Sequence, residues 1–143
     1  MKLSILFFLF LSSQLHAANC AADLKSFRGL FGDDNFPLVW NETTADDGKP
    51  LVVKIREENS KLFLQFVKTK EGLWAEGTAD ICKDEEIIAM ISKDQIKLGK
   101  AANWVLKMSM SGGAKFKLKL IKKNVLKIST TGWSGEFSPE TKN

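Results

Sequence analysis

The chain has no tyrosine, and its single histidine is His16, close to the start. Arginine occurs only at Arg28 and Arg56, and cysteine only at Cys20 and Cys82. Each scarcity excludes a chemistry. Beyond position 16 the chain cannot supply a Ser–His–Asp triad, a Cys–His dyad or a His-ligated zinc or copper site. Two arginines are too few for the guanidinium-rich recognition of nucleic acid. Hydrophobic residues make up 44% of the 143 and charged residues 27%, which suits one globular domain with a true core. Wholesale disorder, collagen and coiled coil do not fit that composition.

The first residues have a separate character. Lys2 precedes an apolar run over 3–11, and small residues follow at Ala17 and Ala18. That is the layout of a secretory signal peptide, and the run is about half of the ~20 residues that would span a bilayer. We read 1–18 as a signal peptide and 19–143 as one β domain with an N-terminal helix. The expected product is exported, periplasmic or secreted, without a membrane span. Cleavage removes His16 and lowers the formal charge from +4 to +3 by removing Lys2.

Cys20 and Cys82 survive that cleavage, and in an exported chain such a pair is expected to form a disulfide. A loop of 62 residues closed this way stabilises by about 4 kcal/mol in the chain-entropy description. The competing expectation is a lipid-anchored Cys20, which Asn19 fits poorly, because a small residue is expected just before such a cysteine.

Apolar residues Cys20, Leu24, Phe27 and Phe31 recur at helical spacing, with Asn19 as the expected cap and Gly32 as the stop. From Pro50 onward the pattern is extended: 51–57, 62–68, 73–82, 87–92, 96–99, 104–110, 114–121 and 125–131 read as eight strands joined by short turns. The expected fold is mainly β, an antiparallel meander that closes into a barrel of lipocalin-like or calycin-like shape, or folds into a sandwich. Trp104, Leu106, Met108 and Met110 alternate with Val105, Lys107 and Ser109, as Phe116, Leu118 and Leu120 do with Lys115, Lys117 and Lys119, so the first set of each is expected to face the core. Register then pairs Met108 with Phe116, Leu120 with Leu126 and Leu118 with Ile128.

That register puts Lys107, Lys115, Lys117, Lys119 and Lys127 on one outer face, with Lys107 opposite Lys117 and Lys119 opposite Lys127. Like charges facing across strands are destabilising. Between Asp94 and Glu136 there are nine lysines and no acid. Residues 18–82 carry 8 basic and 11 acidic groups, a balance of −3, while residues 83–143 carry 12 and 6, a balance of +6. Such a face either keeps a sheet soluble or receives an anionic partner: an envelope polymer, an anionic lipid surface or an acidic protein.

Trp74, Trp104, Met108 and Phe116 are candidate walls of an apolar pocket, or ordinary core. Gly72-Leu73-Trp74 resembles the Gly-X-Trp of lipocalins, though there the motif opens the first barrel strand. Ser-Gly-Gly-Ala-Lys at 111–115 resembles a motif of periplasmic lysozyme inhibitors, without matching flanks. Asp33-Asp34 and Asp84-Glu85-Glu86 lack EF-hand spacing and read as turns. Asn41-Glu42-Thr43 is a glycosylation sequon if the host glycosylates. No cofactor or metal is expected. The function expected is non-catalytic binding, of a hydrophobic small molecule in the barrel or an anionic envelope partner on the lysine face. The alternatives are a proteinaceous inhibitor of a secreted hydrolase and a carboxylate-based hydrolase.

Overall fold

A computed structural model describes residues 19–141, and the expected signal segment lies outside the described residues. Ten strands and two helices follow in chain order: β1 (Asn19–Ala21), α1 (Leu24–Leu30), β2 (Val39–Glu42), β3 (Leu51–Glu58), β4 (Lys61–Lys68) and β5 (Gly72–Lys83). Then come β6 (Ile87–Ser92), β7 (Lys97–Leu98), α2 (Trp104–Met110), β8 (Gly113–Lys122), β9 (Val125–Thr130) and β10 (Trp133–Pro139). The strand order β5-β4-β3-β2-β10-β9-β8-β6 returns to β5 through the β5–β6 pairing, so eight antiparallel strands close a barrel. Closure leaves the main sheet without free edges.

Alternation explains which side of each strand is inside. Leu51, Val53 and Ile55 of β3 are buried, as are Leu62, Leu64 and Phe66 of β4 and Phe116 and Leu118 of β8. Their sequence neighbours point outward, as the two-residue period of a strand requires. The interior is filled. Phe66 stacks on Phe116 at 4.6 Å between ring centroids and touches Trp74 at 5.7 Å, and Trp74 meets Trp133 at 5.3 Å. The five clefts described among these residues all open to solvent.

Each helix sits at one end of the barrel. The amide of Leu24 donates to a Glu57 carboxylate oxygen at 3.2 Å, which holds α1 near the β3–β4 turn. Phe27 is fully buried, and Phe31, Phe36 and Trp40 continue its aromatic cluster. At the opposite end the chain runs from β7 through Ala102, which is buried, into α2.

Three expectations are corrected here. Cys20 does not belong to the helix. It lies in β1 directly opposite Cys82 of β5, and the disulfide joins the two strands. Asp23, not Asn19, caps α1, accepting the Ser26 amide at 2.7 Å, and this cap fixes the later start. The C-terminal end agrees with the expectation, since Phe31 closes the helix and Gly32 takes φ 69°.

The larger correction concerns residues 104–110, which form α2 and not a strand. Asn103 accepts the Leu106 amide at 2.9 Å, and Leu, Lys and Met are strong helix formers. The alternating apolar pattern was compatible with both structures, because positions four apart also share a helix face. Consequently β8 does not pair with 104–110. It pairs with β6, placing Phe116 opposite Ala89, and with β9, where Leu118–Ile128 and Leu120–Leu126 match the expected register. A ninth extended run, β10, completes closure between β9 and β2.

Candidate functional site

Lys115, Lys117 and Lys119 of β8 and Lys127 of β9 share the barrel's outer surface, and all four are exposed. Their inward neighbours Ala114, Phe116, Leu118, Leu126 and Ile128 are buried, so packing fixes which way the lysines point. Lys119 stands directly opposite Lys127. Lys117 faces Ser129 on one side and Ile88 on the other, and its ammonium lies 3.1 Å from the Glu86 carboxylate. Both members of that pair are about half exposed, so it holds Lys117 only weakly. Lys127 has Glu136 as its partner on β10. Lys107 does not join this row. It stands on α2, and the expected opposition to Lys117 does not exist.

The four candidate pocket residues are also divided. Trp74 and Phe116 are buried, at 3% and 0% exposure, on either side of Phe66. Trp104 and Met108 are exposed, at 73% and 70%, on the outside of α2. They cannot line a common pocket, and the reason is the helical turn: α2 buries Met110 and half-buries Leu106, and turns Trp104, Val105 and Met108 to solvent.

Two clefts adjoin these features. One, of about 340 Å³, has an apolar floor of Leu30, Phe31, Ile87 and Leu120 and borders Lys83, Lys117 and Lys119. The other, of about 350 Å³, opens at the α2 end of the barrel beside Trp74, Leu106 and Trp133 and carries Glu42, Asp46 and Asp47. Glu42 accepts the Leu51 amide at 2.8 Å, and burial raises its pKa despite that bond, with Asp47 adding to the rise. Asp47 goes the other way: Lys68, 2.6 Å distant, holds its carboxyl below the usual range. Sequence reading singled out neither Glu42 as a titrating group nor this cleft. Its residues come from β2 to β5, the loop after β2, β10 and the segment from β7 into α2, and only closure brings them together.

Among the described residues, no three His, Cys, Asp or Glu side chains gather as a metal site. No helix there is long and apolar enough to cross a membrane. The class that the fold defines is a small, closed, antiparallel barrel with a disulfide at one end. Comparison with protein-family models, curated proteins and solved structures gives no match to the chain.

Proposed function

We propose that this is an exported, non-catalytic binding protein that docks an anionic partner on the outer face of β8 and β9. The observation that carries the reading is the shared face of Lys115, Lys117, Lys119 and Lys127, with Lys119 set against Lys127. A sheet that needed only solubility would be served better by mixed signs, since opposed like charges destabilise it. The filled interior favours this surface over the barrel's inside as the binding place. The disulfide suits a chain that works in an oxidising compartment.

The test is retention on immobilised dextran sulfate in a salt gradient. Lys115→Glu/Lys119→Glu should elute at clearly lower salt than Lys25→Glu/Lys61→Glu, which makes the same charge change on α1 and β4. Equal elution of the two would mean that only net charge matters, and the face would have no role.

A second reading, the carboxylate-based hydrolase, has one observation in its favour. Glu42 and Asp47 border one cleft with their pKa values moved in opposite directions, as an acid and its partner base require. Against it, Trp74 is too deeply buried to stack on a sugar, and Asp47 is already paired with Lys68. Turbidity clearing of cell-wall suspensions that vanishes in Glu42→Gln would establish this reading and displace the first.

A further inference from the structure

Helix α2 is apolar on two opposite sides. At 100° per residue, Leu106 and Met110 fall on one arc, turned toward the barrel, while Trp104, Met108 and Val105 fall within another on the far side. Lys107 and Ser109 separate the two arcs. Five large apolar side chains are exposed among the described residues, and three of them are on this short helix. A fourth, Met90, lies directly opposite Lys115, beside the strand that α2 leads into through Ser111 and Gly112. Helix α2 therefore ends two residues before the strand that carries Lys115, Lys117 and Lys119.

We propose that α2 inserts its outer side, Trp104, Val105 and Met108, into the headgroup boundary of an anionic lipid bilayer while the β8–β9 lysines meet the anionic headgroups. The inference rests on the lysine-face reading and names its partner. A bilayer answers both halves of the surface: apolar depth for the Trp, Val and Met side chains, and negative charge for the lysines of the strands that follow. Trp104 on the outer arc and Lys107 at its edge match the interfacial preferences of both residue types. A second copy of this chain fits badly, because Lys107 and the neighbouring lysines would meet their own kind.

The experiment uses the mature chain with vesicles of phosphatidylglycerol and phosphatidylcholine, against vesicles of phosphatidylcholine alone. Cosedimentation should occur with the first and fall by about tenfold or more in Trp104→Ser/Met108→Ser. The same variant should keep its retention on dextran sulfate, which has charge and no apolar depth. Brominated lipid should quench the wild-type tryptophan emission much more strongly than that of Trp104→Phe, because Trp40 and Trp74 are buried and Trp133 is partly buried. If vesicles are not bound, or are bound equally by Trp104→Ser/Met108→Ser, or if quenching is as strong in Trp104→Phe as in wild type, the bilayer is the wrong partner and α2 is left for a protein. If dextran sulfate retention is also indifferent to Lys115→Glu/Lys119→Glu, the lysine-face reading falls with it.

Discussion

Reversing one charge in the opposed pair, Lys119→Glu, should stabilise the fold and weaken its binding. Lys119 and Lys127 are direct cross-strand partners, and both are exposed. A cross-strand pair of this kind is worth about 0.2–1 kcal/mol in either direction. The substitution removes a repulsion and creates an attraction, but solvent screening reduces both. Glu85 and Glu86, which share a cleft with Lys119, oppose the new carboxylate, whereas Lys83 in the same cleft favours it. The net gain expected is about 0.5–1 kcal/mol at low salt. For about 120 ordered residues, at an unfolding entropy of roughly 2.1 cal/mol/K each, that raises Tm by about 2–4 °C. Circular dichroism melts at low salt should show this rise, and at about 1 M NaCl it should shrink, because the screening length falls to about 3 Å. Lys119→Glu/Lys127→Glu restores a like-charged pair and also sets a carboxylate against Glu136, so it should melt at or below wild type. A lower Tm for Lys119→Glu at low salt, or a gain untouched by salt, would refute the claim that the face carries an electrostatic strain.

Other perturbations probe the remaining supports. Glu42 has a raised pKa, so the folded state holds its proton to higher pH than the unfolded state does. Its contribution is complete below the ordinary carboxylate range and is lost as pH rises through that range and above it. The difference in Tm between Glu42→Gln and wild type should therefore grow in favour of Gln from pH 4 to 7 in roughly that window, and a difference that shrinks would contradict the burial argument. Gly77 of β5 leaves no room for a side chain: an added Cβ would lie 2.5 Å from the Gln95 carbonyl oxygen and 2.6 Å from an Ile91 methyl. Gly77→Ala should lower stability by about 1–3 kcal/mol, read from the urea midpoint, since backbone must move to admit the methyl. Cys20→Ala/Cys82→Ala should cost about 2–4 kcal/mol by releasing the 62-residue loop, and reductant should lower the wild-type midpoint but not the variant's.

How far the fold could be read from sequence depended on whether local pattern and long-range pairing agreed. In β8 and β9 they agreed. Alternation over Phe116, Leu118 and Leu120 admits one buried face, and only one register matches it to Leu126 and Ile128. Strand β10 was harder to see, since Gly135 presents no side chain where alternation would look for one, and its neighbours Trp133 and Phe137 flank it alone. An added Cβ at Gly135 would lie 2.8 Å from the Glu42 carboxylate and 2.9 and 3.1 Å from the Trp133 and Phe137 rings, and the Glu42 contact exists only after the barrel closes. Cys20 misled for a similar reason. Its spacing to Leu24 and Phe27 is helical, but the bond to Cys82 and the pairing along β1 decide its conformation.

The segment from Trp104 to Met110 is where sequence reading erred, and the error bears on function. Read as a strand, it assigns Trp104, Leu106, Met108 and Met110 to the core together, and of its apolar residues only Val105 is left outside. Read as a helix, it can bury only the Leu106 and Met110 side, because residues two apart lie about 200° from one another around the axis. Two cues favoured the helix: Asn103 in the capping position, and Leu106, Lys107, Met108 and Met110, which outweigh the strand-favouring Trp104 and Val105. The seven-residue helix then holds Trp104 at 73% and Met108 at 70% exposure, an arrangement that core packing does not require. A serine at either position would serve the fold as well, so Trp104→Ser/Met108→Ser should melt within about 0.5 kcal/mol of wild type, as surface changes do. A large loss of stability would mean that these side chains do support the barrel, and the exposed tip would lose its claim to be a site.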